Sequence, residues 1–323
     1  MLSRVAENLY WSARYLERAD NLSRVVMINN LLLMDLPKGV STGWEPLLDI
    51  VGVKKGFYEH YKTPNEQNVI KYLITDERNT SSLASSIANA RNNLRSVREV
   101  LPRHTWQLVN SLYLYIQEHQ KDALSKRARF AFFEHVSDSI LTIFGALDAT
   151  MSHNVGFTFL RFGMYVERAD MTSRILDVRS ATLIEEDDEK PFENIQWVSV
   201  LRSMSAYQMY RQSMGVKVKR RHVVEFILQD RYFPRSIAFC LSKLLMLGQD
   251  FTMSKDLERR LLYSIDSIQA QDVDILKGKA LHDFIDSLQV NLAEVHALLC
   301  DQFFTLPRET ETTLIQMSTS VAN

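Results

Sequence analysis

The chain has 323 residues, 46% hydrophobic and 24% charged, a globular balance with room for one large domain or two smaller ones. Its formal net charge of −1 excludes a global basic field that would draw in nucleic acid. Its two cysteines, Cys240 and Cys300, lack companions at metal-ligand spacing, which excludes a zinc site and reads as buried thiols in a reducing compartment.

Only 10 Gly and 7 Pro interrupt the chain, so long helices are expected, and no alternating strand pattern competes with them. The first helix starts at Ser3 as N-cap and runs to about Asp35, where Pro37 stops it. Trp44 to Val53 reads as a short second helix. Thr63-Pro64-Asn65-Glu66 is a start signal, a Thr cap with Pro at the first position, for a helix to about Asp76. Helices over Ser81 to Leu101, Arg103 to His119, Lys126 to His153 and Gly156 to Leu183 follow, then an acidic loop at 185–189. Asn194 to Ser213, Arg220 to Asp230, Pro234 to Leu247, Ser254 to Gln269 and Lys277 to Phe304 complete the set. Residues 305–323 are polar and read as a frayed tail.

No apolar run looks long enough to span a bilayer, and the start carries Arg4 and Glu7 where a signal sequence would be apolar. A soluble cytoplasmic protein without membrane contact is expected.

One eight-residue segment occurs twice, about 150 positions apart. Glu17-Arg18-Ala19-Asp20-Asn21-Leu22-Ser23-Arg24 returns as Glu167-Arg168-Ala169-Asp170-Met171-Thr172-Ser173-Arg174, with Tyr15 and Tyr165 just upstream. At about 100° per residue, Glu17, Asp20 and Arg24 share a face opposite Ala19, Leu22 and Val26. Apolar positions drift between the copies, Leu16 to Val166 and Val26 to Leu176, while the charges do not. A solvated face would drift more freely, so these charges are expected to be held by partners.

The likeness continues in order. Trp44 to Leu48 matches Trp197 to Leu201, Asn68 to Asp76 matches His222 to Asp230, and Ser82-Leu83-Ala84 matches Ser236-Ile237-Ala238. An internal duplication is therefore expected. Residues 1–323 would form a single all-α domain from two repeat halves, 1–150 and 151–304, with the long motif helices near a pseudo-two-fold axis. Two copies are too few for a solenoid.

The candidate site residues are Glu17, Arg18, Asp20, Arg24, Glu167, Arg168, Asp170 and Arg174. One reading is a buried ion-pair network locking the halves, with Glu17 on Arg168 and Glu167 on Arg18, because buried charges persist only when paired. Another is an anion-binding cleft, since a guanidinium presents two parallel donors to a carboxylate or phosphate. An acid–base enzyme fits less well, because carboxylates among arginines stay ionised. Arg235 and Ser236, at a helix entry after Phe233-Pro234, are a possible secondary anion site. No phosphate loop, dinucleotide glycine set, His-Glu-x-x-His or Gly-x-Ser-x-Gly is present, and no His follows Glu at di-iron spacing. No metal and no cofactor is expected.

Arg4-Val5-Ala6-Glu7-Asn8-Leu9-Tyr10-Trp11, leading into Arg14-Tyr15-Leu16-Glu17-Arg18-Ala19, resembles the opening of the bacterial alpha-E domain. The second copy from Tyr165 and the Phe233-Pro234-Arg235-Ser236 entry resemble it too, and the likeness runs over nearly the whole chain. One departure is Thr80, where the family tends to have the proline that Pro234 mirrors. The resemblance implies a helical protein whose genes lie beside, or fused to, circularly permuted ATP-grasp proteins and near transglutaminase-like proteases. That neighbourhood implies a role in an amide-ligase system; with the doubled Glu-Arg motif and the missing catalytic motifs, the expectation is a non-catalytic partner or substrate-presenting subunit of an ATP-grasp amide ligase. The alternative is an enzyme, or a small-anion or peptide binder, using a cleft lined by both Glu-Arg motifs.

Overall fold

The computed structural model describes residues 3–36, 43–181, 193–249 and 253–305. The expected Pro37 stop, the acidic run at 185–189 and the tail beyond Thr305 lie outside them. The described residues hold fourteen α-helices and no strand. They are α1 (Ser3–Asp35), α2 (Pro46–Val51), α3 (Lys54–His60), α4 (Glu66–Ile74), α5 (Leu83–Ser96), α6 (Arg103–Leu124) and α7 (Arg129–Thr150). Then come α8 (Val155–Ala181), α9 (Glu193–Ser203), α10 (Tyr207–Met214), α11 (Arg220–Gln229), α12 (Ile237–Gly248), α13 (Lys255–Gln269) and α14 (Lys279–Phe303).

The two motif helices, α1 and α8, pack on each other more extensively than any other pair. Both are buried around most of their circumference, as central helices are. Helix α1 is flanked by α5, α7 and α9, and α8 by α12, α14 and α2. The outer pairs follow the same pattern: α4 and α5 meet α6, which meets α7, while α11 and α12 meet α13, which meets α14. The expected Trp44–Val53 helix is only Pro46–Val51, with Trp44 ahead of it; it crosses over with its counterpart, α2 lying on α8 and α9, which carries Trp197, on α1. Each central helix is thus covered partly from the opposite half of the sequence.

Several expected boundaries move, each for a local reason. Asn65, not Thr63, caps α4, its side chain accepting from Asn68 N. Ser82 and Ser236 cap α5 and α12 through the same hydroxyl bond to the N–H three residues on, a contribution of about 1 kcal/mol each. Helix α5 gives way to a 3-10 turn at Arg98–Val100 instead of running to Leu101. The single helix expected over Asn194 to Ser213 is two, because Ser205 adopts φ 53, the left-handed region. Gly52 ends α2 in the same region, with φ 74. Helix α3 was not expected at all; Phe57 buries fully beneath it.

Contrary to expectation, α7 is long and apolar enough to cross a membrane, with a window of mean hydropathy 1.3. One side packs on the core through Phe132, Phe133, Val136, Ile140, Ile143 and Leu147, while Glu134, Asp138 and Asp148 face outward. That is the pattern of a core-packed helix.

Candidate functional site

The repeated Glu-Arg motifs meet across the α1–α8 interface. Arg168 Nε and Nη2 donate to Glu17 Oε1 and Oε2 at 2.9 and 2.8 Å. Reciprocally, Arg18 Nε and Nη2 donate to Glu167 Oε1 and Oε2 at 2.6 and 3.1 Å. Both contacts have the parallel geometry that only a guanidinium offers. The repeated tyrosines lie beneath, with Arg18 5.7 Å from the Tyr15 ring centroid and Arg168 5.8 Å from that of Tyr165. Cation–π attraction adds about 0.5–1 kcal/mol to each.

Beyond this reciprocity the two clusters differ. On the Glu17 side, Arg235 enters ahead of α12 and donates to Glu17 Oε1 at 2.6 Å and Asp20 Oδ2 at 2.9 Å. Arg24 donates to Asp20, Asn21 and the Ser203 carbonyl. Thr172 Oγ1 donates to the Arg235 carbonyl at 3.1 Å, and Arg168 Nη1 to that of Pro234 at 3.3 Å. All four charged side chains around Asp20, namely Glu17, Arg24, Arg168 and Arg235, are buried. On the Glu167 side, the residue matching Arg235 in register is Ser81, which brings no charge. Arg14 donates instead, from Nε to Glu167 Oε2 at 2.7 Å, and its guanidinium lies 4.9 Å from the Trp11 ring centroid. Arg174 Nε donates to both Asp170 oxygens at 3.0 Å.

The Glu167 side is open. A cleft of about 230 Å³ is bounded by Arg14, Arg18, Glu167, Asp170, Arg174, Ser81 and Gly52, among others. Motif residues therefore divide: Arg18, Glu167, Asp170 and Arg174 line the cleft, while Glu17, Asp20, Arg24 and Arg168 do not. Arg235 and Ser236 form no second anion site. The first is committed to Glu17 and Asp20, and the hydroxyl of the second caps α12 and donates to the Asp230 carbonyl.

Burial alone would raise the Glu17 carboxyl, but the charges of Arg168 and Arg235 outweigh it and hold it far below the ordinary range. Burial also acts upward on Glu167, and Arg14 and Arg18 likewise prevail and lower it. Arg24 is pushed down to about 10 by burial and by its neighbour Arg235. Asp170 goes the other way, raised by burial. The two glutamates are thus anions suited to ion pairing rather than to donating protons.

Other clusters carry less chemistry. His282 Nδ1 lies 2.7 Å from Asp177 and Nε2 3.4 Å from Asp286. The ring nitrogens face the two carboxylates separately, the arrangement of a bridging imidazolium, and one ligand atom from each of the three exposed or half-buried groups lies within 4.8 Å of the others. Tyr10 Oη is 2.8 Å from His296 Nδ1, and Cys300 Sγ is 3.5 Å from the same nitrogen. Burial, aided by Arg14, pushes His296 down to about 4, and burial raises the Cys300 thiol, so no thiolate–imidazolium pair forms near neutral pH. Cys240 is buried as expected, but Cys300 is only partly so.

Sequence reasoning paired Glu17 with Arg168 and Glu167 with Arg18, but it overlooked Arg14. Its spacing of four from Arg18 places both on one face of α1 and was the available signal.

A family model described as "a predicted alpha-helical domain with a conserved ER motif" matches residues 1–304. An uncharacterized protein of Mycobacterium bovis is 23% identical over 261 residues, covering 75% of this chain and 29% of that protein. Uncharacterized proteins of two Mycobacterium tuberculosis strains match with the same identity and coverage. The chain thus spans 29% of the length of these curated relatives. No solved structure matches. With its Glu-Arg pairs at 17–18 and 167–168 joined across two central helices, and the family model covering 1–304, the chain belongs to the Alpha-E family.

Proposed function

We propose that this chain is a non-catalytic helical partner of an ATP-grasp amide ligase, docking on that enzyme or presenting an acidic, peptide-like substrate to it. The observation that carries the non-catalytic part is the use of the motif. Glu17 and Glu167 are each held by a parallel Arg pair and a further Arg, fully buried and ionised, with no proton to give near neutral pH. The ATP-grasp part rests on the gene neighbourhood that the family resemblance implies, with a transglutaminase-like protease as a further partner. The length of the mycobacterial relatives suits a module that works beside other domains. The setting proposed is the bacterial cytoplasm, without nucleic acid or membrane.

The test is titration calorimetry of the chain against the ATP-grasp protein encoded beside it, paired with ligase turnover assayed with and without the chain. Saturable binding with stimulated turnover supports the reading. No heat at 100-fold above a micromolar Kd, together with unchanged turnover, overturns it.

A further inference from the structure

We infer that the cleft beside Glu167 is a binding site for a single carboxylate group, such as the free end of a peptide. The inference goes beyond the partnership and does not depend on it.

The first observation is an imbalance of donors. Arg18 uses Nε and Nη2 on Glu167, and Arg174 uses only Nε on Asp170. Arg18 Nη1 and both terminal nitrogens of Arg174 have no acceptor among the described residues. The cleft lies between these side chains, which are 20% and 35% exposed, so the free donors border an accessible space. Both carboxylates of the cleft already accept from guanidiniums, so what the site lacks is an acceptor.

The second observation is the comparison between the clusters. Around Glu17, the matching position is filled from within by Arg235, and the side chains of Glu17, Arg24, Arg168 and Arg235 are all buried. Around Glu167, Ser81 replaces that arginine and Arg14 supplies the charge from the rear, against Trp11, leaving the front vacant. The chain opens one of two reciprocal clusters. Gly52 contributes to the opening: a β-carbon on it would lie 3.2 Å from Arg174 Nη1, crowding a donor that faces the cleft.

Charge selects the ligand. Arg14, Arg18 and Arg174 face Glu167 and Asp170, an excess of one positive charge. One carboxylate neutralises it and matches the planar guanidinium edge. A phosphate dianion would overshoot it beside two resident carboxylates. Arg14 and Glu167, nine-tenths or more buried, form a fixed wall behind the ligand, while Arg18 and Arg174 supply the contacts.

The experiment is titration calorimetry of the full chain at constant ionic strength with three probes: N-acetyl-diglycine, its C-terminal amide, and inorganic phosphate. Saturable binding of the free acid, at least tenfold tighter than of the amide or phosphate, is expected. Arg174→Gln should weaken it at least tenfold with an unchanged melting temperature. Ser81→Arg combined with Arg14→Met copies the closed cluster, where the matching residues are Arg235 and Met164, and should abolish binding while circular dichroism shows the fold retained. No saturable binding of the free acid to the wild type overturns the inference. So does equal binding of acid and amide, tighter binding of phosphate, or a free-acid affinity indifferent to Arg174→Gln.

Discussion

Gly163 of α8 sits against Tyr10 of α1 so closely that a β-carbon on it would lie 2.1 Å from the Tyr10 carbonyl oxygen. The nearest side-chain neighbour is the Ala13 methyl, at 3.2 Å, and Ala13 is the residue that matches Gly163 in register. The central helices therefore cross where both carry their smallest side chains. This contact sets their separation and hence whether the Glu17–Arg168 and Glu167–Arg18 pairs close. Gly163→Ala meets backbone, which cannot swing aside. It should destabilise the fold by about 1–3 kcal/mol, the usual range for overpacking, and more if the ion pairs open. Urea unfolding measures it; a variant as stable as wild type would refute the crossing-point argument.

Arg168→Ala leaves Glu17 buried with Arg235 as its one direct guanidinium partner, beside a long bond from Asn21. Removing one partner of a buried pair costs roughly 3–5 kcal/mol, because the other charge stays desolvated. Arg18→Ala should cost less, since each glutamate keeps one arginine but Arg18 is 20% exposed against 10% for Arg168, so water reaches the vacated place more readily. Arg168→Lys retains charge but loses the parallel geometry, at about 2 kcal/mol. The order expected in denaturant midpoints is Arg168→Ala lowest, then Arg168→Lys, with Arg18→Ala nearest wild type. Equal effects of Arg168→Ala and Arg18→Ala would contradict the asymmetry of the two clusters.

Much of this lock is legible before any coordinates. Six of eight motif positions repeat, and a helical wheel puts the arginines beside the apolar stripe, from where each can reach the other copy's glutamate; whether they lock the halves or line a cleft is not legible there. Helix content and most helix positions are legible for the same reason of period. What escapes is whatever depends on a neighbour brought in from afar. Arg235 lies at a helix entry, which by local rules suggests a surface anion site; only the packing of α12 on α8 turns it inward to Glu17. Likewise nothing in the sequence shows that Ser81, by lacking an arginine, leaves one cluster open. The break at Ser205 escapes because serine rarely adopts positive φ.

That break supports a stabilising substitution. Ser205 and Gly52 both follow short helices, α9 and α2, in the left-handed region, but only at Gly52 is the residue suited to it. Ser205→Gly should raise stability by up to about 1 kcal/mol by removing the strain of φ 53. Gly52→Ala should lower it by at least as much, since its β-carbon also crowds Arg174. Opposite shifts in melting temperature are the expected result, and a loss on Ser205→Gly would show that the serine side chain contributes more than its backbone costs.

Acid should weaken the fold in two stages. His296, packed between α1 and α14, has its folded value lowered from 6.5 to about 4 by burial and Arg14. The folded state then binds fewer protons than the unfolded one, so this contribution is complete above pH 6.5 and is lost as pH falls toward 4. Glu17 and Glu167 are also lowered, from a reference of 4.5, so their contribution is complete above that pH and is lost only below it. Asp170 opposes them: its value is raised, so its contribution is complete below the unfolded value and lost as pH rises through the folded one. His296→Gln keeps an acceptor for the Tyr10 hydroxyl without titrating. Wild-type urea midpoints should fall between pH 6.5 and 4.5 while those of His296→Gln hold nearly level there, and both should drop below pH 4.5. The difference between the two curves isolates the imidazole; parallel curves down to pH 4 would mean that His296 is solvated and free to protonate in the folded state.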